Sequence, residues 1–400
     1  MKESLLLINP PSPELVDDKT SVPLGILYIA SFVRKIGYPI KFVDFAGNND
    51  AKLEYNHKYY GFTSVTPQWS FVHQKIKEIK NHNSNAIIIV GGPHPTALPE
   101  ACLNDGADIV VVGEGETAIE EILMKNNHSS IIRSERITNL DFIPFPARDL
   151  LDGYKKHTIV CSRGCPFSCK FCGSPNIWGN RVVSRSVKNV ENEIDELILQ
   201  YKIDYLGIRD ETFGMNKQWA LDFCEMIKRK RISWEVQTRS TLCTVNFLSI
   251  MKDAGCVFVS LGIESGSKKM LQNILKKETP EDNLQAIRNL KEAQINCRGF
   301  FIVGLPGETD ETVEETEKFI LEAKKIGLTN ISLFTFVPFP GSQFYKESYK
   351  HVNSHFDNYY LITKTGKGSV VEIHDKNKIT KWNEKLSIVV NDANDVKRYT

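Results

Sequence analysis

The sequence predicts an α/β protein in which two parallel-sheet domains follow one another. In residues 1–130 short apolar runs alternate with stretches of helical periodicity, and the same alternation resumes at residue 158. Apolar runs of this kind are typical of strands that are buried on both faces of a parallel sheet. A proline-containing segment separates the two halves. The expected organisation is therefore a first domain at 1–130, a linker at 131–157, a second domain at 158–345 and a C-terminal extension at 346–400.

The first half is expected to form a doubly wound, Rossmann-like parallel sheet. Helices are predicted at residues 24–35 and 70–81, between apolar strands. The predicted strands are residues 5–8, 40–44, 60–64, 86–90 and 108–112. In such a sheet the ligand binds at the carboxyl ends of the strands.

Small residues follow most of these strands. A glycine lets a large ligand approach the backbone because it has no side chain. One such loop usually marks only a turn, but five at one sheet edge indicate a ligand site. The candidate contacts at this edge are Pro23, Gly25, Ser64, Thr66, Trp69, Gly91, Gly92, His94, Gly113, Glu114 and Gly115.

The second half contains six strand–helix units. This number predicts a partial (β/α)6 barrel of the TIM type, with its chemistry at the carboxyl ends of the strands. Helices are expected near residues 190–200, 216–229, 245–254, 280–294 and 310–326. The predicted strands are residues 158–161, 205–209, 234–238, 257–262, 299–303 and 331–337.

The composition limits the possible classes of protein. Lys and Arg number 50 against 49 Asp and Glu, so no nucleic-acid partner is expected from the overall charge. No apolar run approaches the roughly 20 residues of a membrane span. Nine cysteines without a secretory signal indicate a reducing, cytoplasmic setting.

Three cysteines lie within eight residues: Cys165, Cys169 and Cys172. A loop this short can place three thiolates around a [4Fe–4S] cluster, which commonly takes four, so one iron would accept a non-protein ligand. Zinc sites usually use two well-separated ligand pairs. Disulfide bonds are not expected, because the thiols are crowded in one loop and the number of cysteines is odd. Cys161 fits a strand better than it fits a fourth ligand position.

The spacing of these cysteines, with Phe171 before the last one, resembles the C-x3-C-x-aromatic-C signature of the radical S-adenosylmethionine (SAM) enzymes. The resemblance implies that SAM chelates the open iron and that one electron from the cluster cleaves it to a 5′-deoxyadenosyl radical. It also implies SAM contacts from residues at the ends of the barrel strands. The strand-end candidates are Asp210, Glu211, Arg239, Glu264, Ser265, Gly304 and Val337, and Phe171 of the cysteine motif is a further candidate.

Charged candidates have alternative roles. A carboxylate from Asp210 or Glu211 suits the methionyl ammonium, although acidic residues also favour the first turn of a helix. Arg239 could pair with the carboxylate of SAM or with a protein carboxylate. Glu308 is expected to cap the helix that follows it.

The remaining SAM candidates take their roles from the resemblance. Glu264 and Ser265 follow the fourth barrel strand and would accept from the ribose hydroxyls. Gly304 and Val337 would line the adenine through backbone groups. Phe171 would give an apolar lid beside the open iron.

The first half resembles the cobalamin-binding domain that precedes the radical SAM barrel in one large subfamily. The resemblance lies in the stretches GGPHPTALPE, residues 91–100, and DIVVVGEGE, residues 108–116. It implies that the glycine-rich sheet edge binds cobalamin. The Asp-x-His-x-x-Gly motif that coordinates cobalt in many cobalamin domains is absent from the sequence.

Without that motif, the lower face of cobalamin needs another cover. Gln68 or Trp69 could provide it, and the alternative is that Trp69 only packs at the start of a helix. His94 is expected to offer its backbone rather than to ligate cobalt.

The predicted function is a radical SAM enzyme with a [4Fe–4S] cluster, SAM and cobalamin that methylates an unactivated carbon. Its substrate would be a small molecule or a peptide, and a reducing partner such as flavodoxin or ferredoxin would supply electrons. One alternative is a radical SAM enzyme that catalyses a rearrangement, cyclisation or cleavage without methylation. Another is a non-catalytic iron–sulfur or zinc protein with a fourth protein ligand. Beyond residue 345, His351, His355 and His374 are expected on the surface, and Tyr359 and Tyr360 over the barrel mouth.

Overall fold

A computed structural model describes residues 2–348 and 376–391, apart from residues 14, 16, 21, 49, 126–128 and 155–156. These residues form two six-stranded parallel sheets, with helices packed against them, and one two-stranded antiparallel ribbon. The predicted α/β class, with two consecutive parallel sheets, is confirmed. The expectations for His351, His355, His374, Tyr359 and Tyr360 fall outside the described residues.

The first sheet has the strand order β2-β1-β3-β4-β5-β6, and all its pairings are parallel. The order changes direction between β1 and β3, which places a topological switch point there. The strands are β1 Lys2–Asn9, β2 Ile40–Asp44, β3 His57–Thr63, β4 Ile87–Gly91, β5 Ile109–Val112 and β6 Ile131–Arg133. The helices are α1 Leu24–Lys35, α2 Trp69–His82, α3 Pro93–Ala97, α4 Pro99–Asn104 and α5 Gly115–Met124.

Both faces of this sheet are covered by helices, which explains its unbroken apolar strands. Leu5 and Leu7 pack in the cluster that includes residues of α1 and α5. Leu6 and Ile8 point the other way, into the cluster that includes residues of α2. Since successive side chains of a strand point to opposite faces, a sheet buried on both sides requires an apolar residue at every position.

Strand β6 lies in the segment predicted to be linker. It has three residues, none of them buried, and pairs with β5 at the edge of the sheet. The first sheet therefore extends three residues past the predicted boundary at 130. After β6 the chain stays on this domain, because Ile143 and Ala147 are buried in the same cluster as α1.

The second sheet has the order β14-β13-β12-β11-β10-β7, again with parallel pairings throughout. The strands follow one another in sequence and β7 and β14 lie at opposite edges, as in an open barrel. The strands are β7 Thr158–Ile159, β10 Tyr205–Ile208, β11 Ser233–Thr238, β12 Cys256–Glu264, β13 Asn296–Val303 and β14 Asn330–Thr335. The antiparallel ribbon consists of β8 Ser162–Arg163 and β9 Val183–Ser184.

Two long helices of the second domain begin at the residues that the sequence predicts, 280 and 310. Thr279 and Thr309 form capping boxes at the starts of two long helices. The helices are α6 Ser174–Trp178, α7 Val187–Tyr201, α8 Lys217–Lys228, α9 Val245–Asp253, α10 Lys268–Asn273, α11 Pro280–Glu292, α12 Asp310–Ile326, α13 Gln343–Ser348 and α14 Lys376–Asn391. Across the described stretches, none of the helices has the length and apolarity that crossing a membrane would require.

Helix α14 belongs to the predicted C-terminal extension, yet it completes the barrel wall. Trp382 and Leu386 are buried in the main barrel core. The Trp382 indole also donates to Asp310 Oδ1 at 2.6 Å, at the first residue of α12. This part of the extension is therefore structural.

Candidate active site

Cys165, Cys169 and Cys172 lie in the loop between β8 and α6. All three are free cysteines; Cys169 is buried and the other two are half-buried. The Cys172 N–H donates to Cys169 O at 3.0 Å, which closes a tight turn. The loop is fixed on both sides of Lys170, whose N–H donates to Ile274 O and whose carbonyl accepts from Phe344 N, each at 3.0 Å.

Each sulfur of this loop has a polar group nearby, and two of the sulfurs accept from an N–H donor. The Ser174 N–H lies 3.4 Å from Cys172 Sγ, and Arg239 Nη1 lies 3.8 Å from Cys169 Sγ. Thr212 Oγ1 lies 3.6 Å from Cys165 Sγ, while its own proton is donated to the Glu211 carbonyl. Donors to sulfur are typical of iron–sulfur sites, so this loop fits three ligands of a [4Fe–4S] cluster. By contrast, Cys161 is fully buried in the barrel core.

The two acidic candidates after β10 hold the cysteine loop in place. Asp210 accepts from the Cys161 N–H at 2.7 Å and from Ser162 Oγ at 2.6 Å, and burial raises its pKa to about 6. Glu211 Oε2 accepts from the Gly164 N–H at 3.1 Å. Both oxygens of Asp210 are thus occupied, and Glu211 also has a hydrogen bond from the Trp178 side chain. The contact with the methionyl ammonium stays a prediction for both residues.

The loop after α10 brings a lysine to Glu264, at the end of β12, that the sequence did not indicate. Lys276 Nζ lies 3.0 Å from Glu264 Oε1, and both residues are buried. The neighbouring Ser265 is fully buried, and its hydroxyl pairs with Thr316 Oγ1 at 3.1 Å and accepts from the Ser267 N–H. Its hydroxyl therefore anchors the loop to α12, and Glu264 remains the predicted ribose contact.

Glu308 holds the loop after β13 and does not cap α12, so that expectation was wrong. The helix cap is Thr309. Glu308 Oε2 accepts from the N–H groups of Gly304 and Leu305, and burial raises its pKa to about 7. Gly304 has a φ of +87°, a conformation that favours glycine.

Two further candidates lie near this loop. Val337 is buried and follows β14, which ends two residues earlier than predicted. Phe171 packs on a small apolar cluster that includes Leu305 and Phe336. This packing places Phe171 beside the loop predicted to line the adenine.

A cavity of about 510 Å³ lies at the carboxyl ends of β1, β3, β4 and β5. A side chain built on Gly25 would meet nothing within 4 Å, so the glycine leaves open space at the wall. At Gly92, with φ of +99°, a Cβ would lie 2.9 Å from Thr63 Oγ1. The predicted contacts that line the cavity are Pro23, Gly25, Gly91, Gly92, Gly113, Glu114 and Gly115. The open, mostly glycine-bearing edge fits a large flat cofactor.

Four predicted contacts lie behind the cavity wall instead. Side chains alternate along the extended residues 63–65, so Thr63 and Val65 line the cavity while Ser64 is buried. Thr66 is buried at the start of a 3-10 turn, Thr66–Gln68. The other two buried residues are Trp69 and His94, whose rings stack with centroids 4.7 Å apart.

The Trp69 indole N–H donates to Asp105 Oδ2 at 2.7 Å, at the C-terminal end of α4. Trp69 thus packs at the start of a helix, which was the alternative to a contact with the cofactor. Gln68 lines the cavity, and its amide bridges Ser12 Oγ at 3.2 Å and the Val65 N–H at 3.0 Å. Gln68 is therefore the remaining candidate for covering the lower face of cobalamin.

His94 should make the stability of the first domain depend on pH. Burial lowers its pKa to about 3, whereas an unfolded chain protonates His near about pH 6.5. The stability it supports is full above pH 6.5 and falls by about 1.4 kcal/mol per unit as the pH decreases towards 3. We expect His94→Phe, which keeps a ring against Trp69, to flatten the decrease in Tm between about pH 6.5 and 5.

The matched control is Phe71→Leu, on α2 of the same domain, which changes an aromatic side chain but no titratable group. It should leave the pH profile of Tm parallel to that of the wild type. A parallel profile for His94→Phe would contradict the interpretation.

The two domains meet in a buried ion network at one side of the cavity. Glu114 Oε1 lies 2.7 Å from both Arg163 Nη1 and Arg136 Nη1, and Glu116 Oε1 lies 2.6 Å from Arg163 Nη2. Arg163 comes two residues before Cys165. The glycine-rich edge of the first domain is thus tied to the start of the cysteine loop.

A family model described as the radical SAM superfamily matches residues 159–320, and one described as the B12 binding domain matches residues 18–123. The protein named "uncharacterized methyltransferase PH0819" from Pyrococcus horikoshii is 32% identical over 381 residues, which cover 86% of this chain and 82% of that protein. The chain belongs to the radical SAM superfamily, in the group with a B12-binding domain. The anaerobic magnesium-protoporphyrin IX monomethyl ester cyclase of Rubrivivax gelatinosus is 27% identical to this radical SAM protein. The match covers 85% of this chain and 69% of the cyclase.

Solved structures show the same fold. The radical SAM methyltransferase TsrM from Kitasatospora setae, with cobalamin and a [4Fe-4S] cluster bound, matches the radical SAM protein with a TM-score of 0.69. The match covers 88% of this chain and 78% of that chain at 18% identity. The family assignment confirms the predicted class of enzyme and the predicted cofactors, a [4Fe–4S] cluster, SAM and cobalamin. The non-catalytic alternative is therefore not supported.

Three charged residues of the radical SAM protein's site were missed: Arg163, Lys276 and Glu278. The sequence around Lys276 and Glu278, LKKE, has the composition of a solvated helix end. In the structure both are buried, in a loop where Leu275 and Lys277 have positive φ. Only the position of Arg163 next to the cysteine loop could have drawn attention to it.

Proposed function

We propose that this radical SAM enzyme is a cobalamin-dependent methyltransferase that acts on an unactivated carbon of a small molecule or peptide. The observation that carries the proposal is the place of α6. This helix begins two residues after Cys172, and its Ile177 and Trp178 line the cavity of the B12-binding domain. A substrate at this junction would be within reach of both cofactors. The name of the Pyrococcus relative and the bound cofactors of TsrM support the same activity.

When bound, the cluster and SAM supply a radical that abstracts hydrogen, and cobalamin supplies the methyl group. The chain's own residues bind and orient these groups. Cys165, Cys169 and Cys172 would hold the cluster, and Glu211 and Glu264 would hold SAM by its ammonium and ribose. The apolar side chains of α6 would exclude water from the junction.

We further infer that flavodoxin or ferredoxin reduces the cluster and that the enzyme works in the cytoplasm. A reducing compartment keeps thiols free, and all nine cysteines are free and lie among the described residues. Pull-down of a reduced electron donor by the anaerobically purified enzyme, followed by measurement of donor-dependent SAM cleavage, would test this inference.

Isotope transfer from SAM tests the proposed reaction. Anaerobically purified enzyme would be incubated with a reductant, methyl-deuterated SAM and fractions of a metabolite extract. The expected result is a product that carries the deuterated methyl group, with 5′-deoxyadenosine and S-adenosylhomocysteine formed alongside. Formation of 5′-deoxyadenosine with an unlabelled new product would overturn methyl transfer.

That second outcome would support the alternative, a rearrangement, cyclisation or cleavage without methylation. The 27% identity to the anaerobic cyclase of Rubrivivax gelatinosus favours this alternative. The two functions share cluster and SAM chemistry, so only the fate of the methyl group separates them.

Gly25→Val should reduce retention of cobalamin without unfolding the protein. The new side chain would enter open space at the cavity wall near the start of α1. We expect the corrinoid absorbance per protein to decrease at least tenfold while cluster absorbance and Tm stay near wild type. The matched control, Ser70→Val, adds a β-branched side chain at an exposed position of α2. Equal corrinoid retention in both variants would contradict the placement of cobalamin.

A further inference from the structure

Arg239 lies at the cysteine loop and is almost completely buried, with 5% of its surface exposed. Its Nη1 lies 3.8 Å from Cys169 Sγ. Its guanidinium also lies over the Phe167 ring, with Cζ 3.9 Å from the ring centroid. Both contacts are to the loop that holds the three cysteines, so the cation faces the sulfur side of the site.

The other side of the guanidinium is held by the loop after α10. Arg239 Nη2 lies 3.2 Å from Glu278 Oε2 and donates to the Lys276 carbonyl. The Glu278 side chain is fully buried, and its Oε1 accepts from the Thr241 N–H at 3.1 Å. Of the two partners that the sequence allowed for Arg239, the structure shows the protein carboxylate. Together, Glu278 and the Lys276 carbonyl fix the orientation of the Arg239 guanidinium.

We propose that Arg239 is a positioning residue that raises the reduction potential of the cluster. The proposal rests on the assignment of Cys165, Cys169 and Cys172 as cluster ligands. Reduction adds one electron to [4Fe–4S]²⁺ and gives [4Fe–4S]⁺, with no bond made or broken. The reduced cluster is more negative by one charge, so a cation at a ligand sulfur stabilises it more than the oxidised form.

The physical requirements for this effect are met at Arg239. A guanidinium keeps its charge at every working pH. Inside a protein, charges interact more strongly than in water, and hydrogen bonds to the sulfurs are among the determinants of cluster potential. Glu278 acts in the opposite sense, because its carboxylate offsets part of the cation's field while it holds the guanidinium in place.

A redox titration separates these charge effects from loss of structure. The wild type and the variants Arg239→Gln, Arg239→Lys and Glu278→Gln would be loaded with cluster anaerobically and poised with dithionite and mediators. The paramagnetic reduced cluster would be followed by electron paramagnetic resonance, with neither SAM nor substrate present. Iron and sulfide content would be measured for each sample.

Arg239→Gln should lower the equilibrium constant for one-electron reduction about tenfold, which is a shift of 59 mV to more negative potential. Arg239→Lys keeps the charge and should restore most of this loss. Glu278→Gln should shift the potential the opposite way, to less negative values. The double variant Arg239→Gln/Glu278→Gln removes both charges and should fall between the single variants.

Arg298→Gln is the matched control. Arg298 is another barrel arginine, on β13, and stacks over the ring of Phe258 with Cζ 5.3 Å from its centroid. Its replacement should leave the potential unchanged.

An unchanged potential in Arg239→Gln with full cluster content would overturn the proposal, as would shifts of the same sign in Arg239→Gln and Glu278→Gln. If Arg239→Gln does not retain the cluster, the test depends on Glu278→Gln. A reduction potential of Glu278→Gln equal to that of the wild type would then overturn the proposal. The proposed methyl transfer is tested separately. If the variants show these shifts but the enzyme methylates nothing, the proposed function is wrong and the inference about Arg239 stands. If the wild type binds no cluster, both are wrong.

Discussion

Replacing Cys165, Cys169 or Cys172 with Ala is expected to abolish SAM cleavage. Each thiol would hold one position of the predicted cluster, and each sulfur has a polar group within 3.8 Å. A loop with two thiolates would lack one of the four ligands that these clusters use, since SAM would occupy only the fourth position. The measurements are iron content and 5′-deoxyadenosine formed per enzyme under anaerobic reducing conditions, and the expected decrease is to background.

Cys224→Ala is the control for these variants. Cys224 is buried on α8, within the barrel core and outside the loop. This change should cost about 1 kcal/mol of stability, as for an ordinary point substitution, and leave iron content unchanged. Normal 5′-deoxyadenosine formation by any of the three loop variants would show that the loop does not carry the cluster.

Glu114→Ala is expected to destabilise the protein strongly at the junction of the domains. The Glu114 side chain is 2% exposed and lies between two guanidinium groups, and its second oxygen accepts from the Ile137 N–H at 2.6 Å. Removing it leaves Arg163 and Arg136 facing each other without their shared carboxylate. Breaking a buried pair in this way typically costs about 3–5 kcal/mol, so we expect a clear decrease in Tm together with loss of retained corrinoid.

Two comparisons make this result specific. Glu121→Ala removes an exposed ion pair with Lys125 on α5 and should cost less than about 1 kcal/mol. Glu114→Gln keeps an acceptor for the Ile137 N–H and should lie between the wild type and Glu114→Ala. If Glu114→Ala melts at the same temperature as Glu121→Ala, the network does not stabilise the junction.

The elements that sequence predicted well are those whose signal is local. The strand at residues 5–8 is apolar at every position because both faces are covered, and Thr279 and Thr309 begin helices through hydrogen bonds within three residues. Strand β6 was missed because an edge strand of three residues needs no buried side chain. The pairing of β6 with β5 depends on which strand lies next to it in the folded sheet, and the composition of β6 does not show this.

The candidate site divides in the same way. The cysteine loop could be predicted because its three thiols are close in sequence. The partners of Ser265 and Arg239 could not be predicted because they are distant in sequence. Thr316 lies 51 residues from Ser265, and Cys169 lies 70 residues from Arg239. The side chains of Ser64 and Thr66 are buried behind the cavity wall, a placement that the folded sheet and the 3-10 turn at Thr66–Gln68 set and that local sequence does not show.

Arg163 also bears on how such two-domain chains can change over time. Its charge is neutralised by Glu114 and Glu116, which belong to the other domain. A first domain that lacked these carboxylates could not replace the present one without leaving a guanidinium unpaired in a nearly closed interface. A substitute first domain would therefore have to present two carboxylates at these positions to keep Arg163 paired.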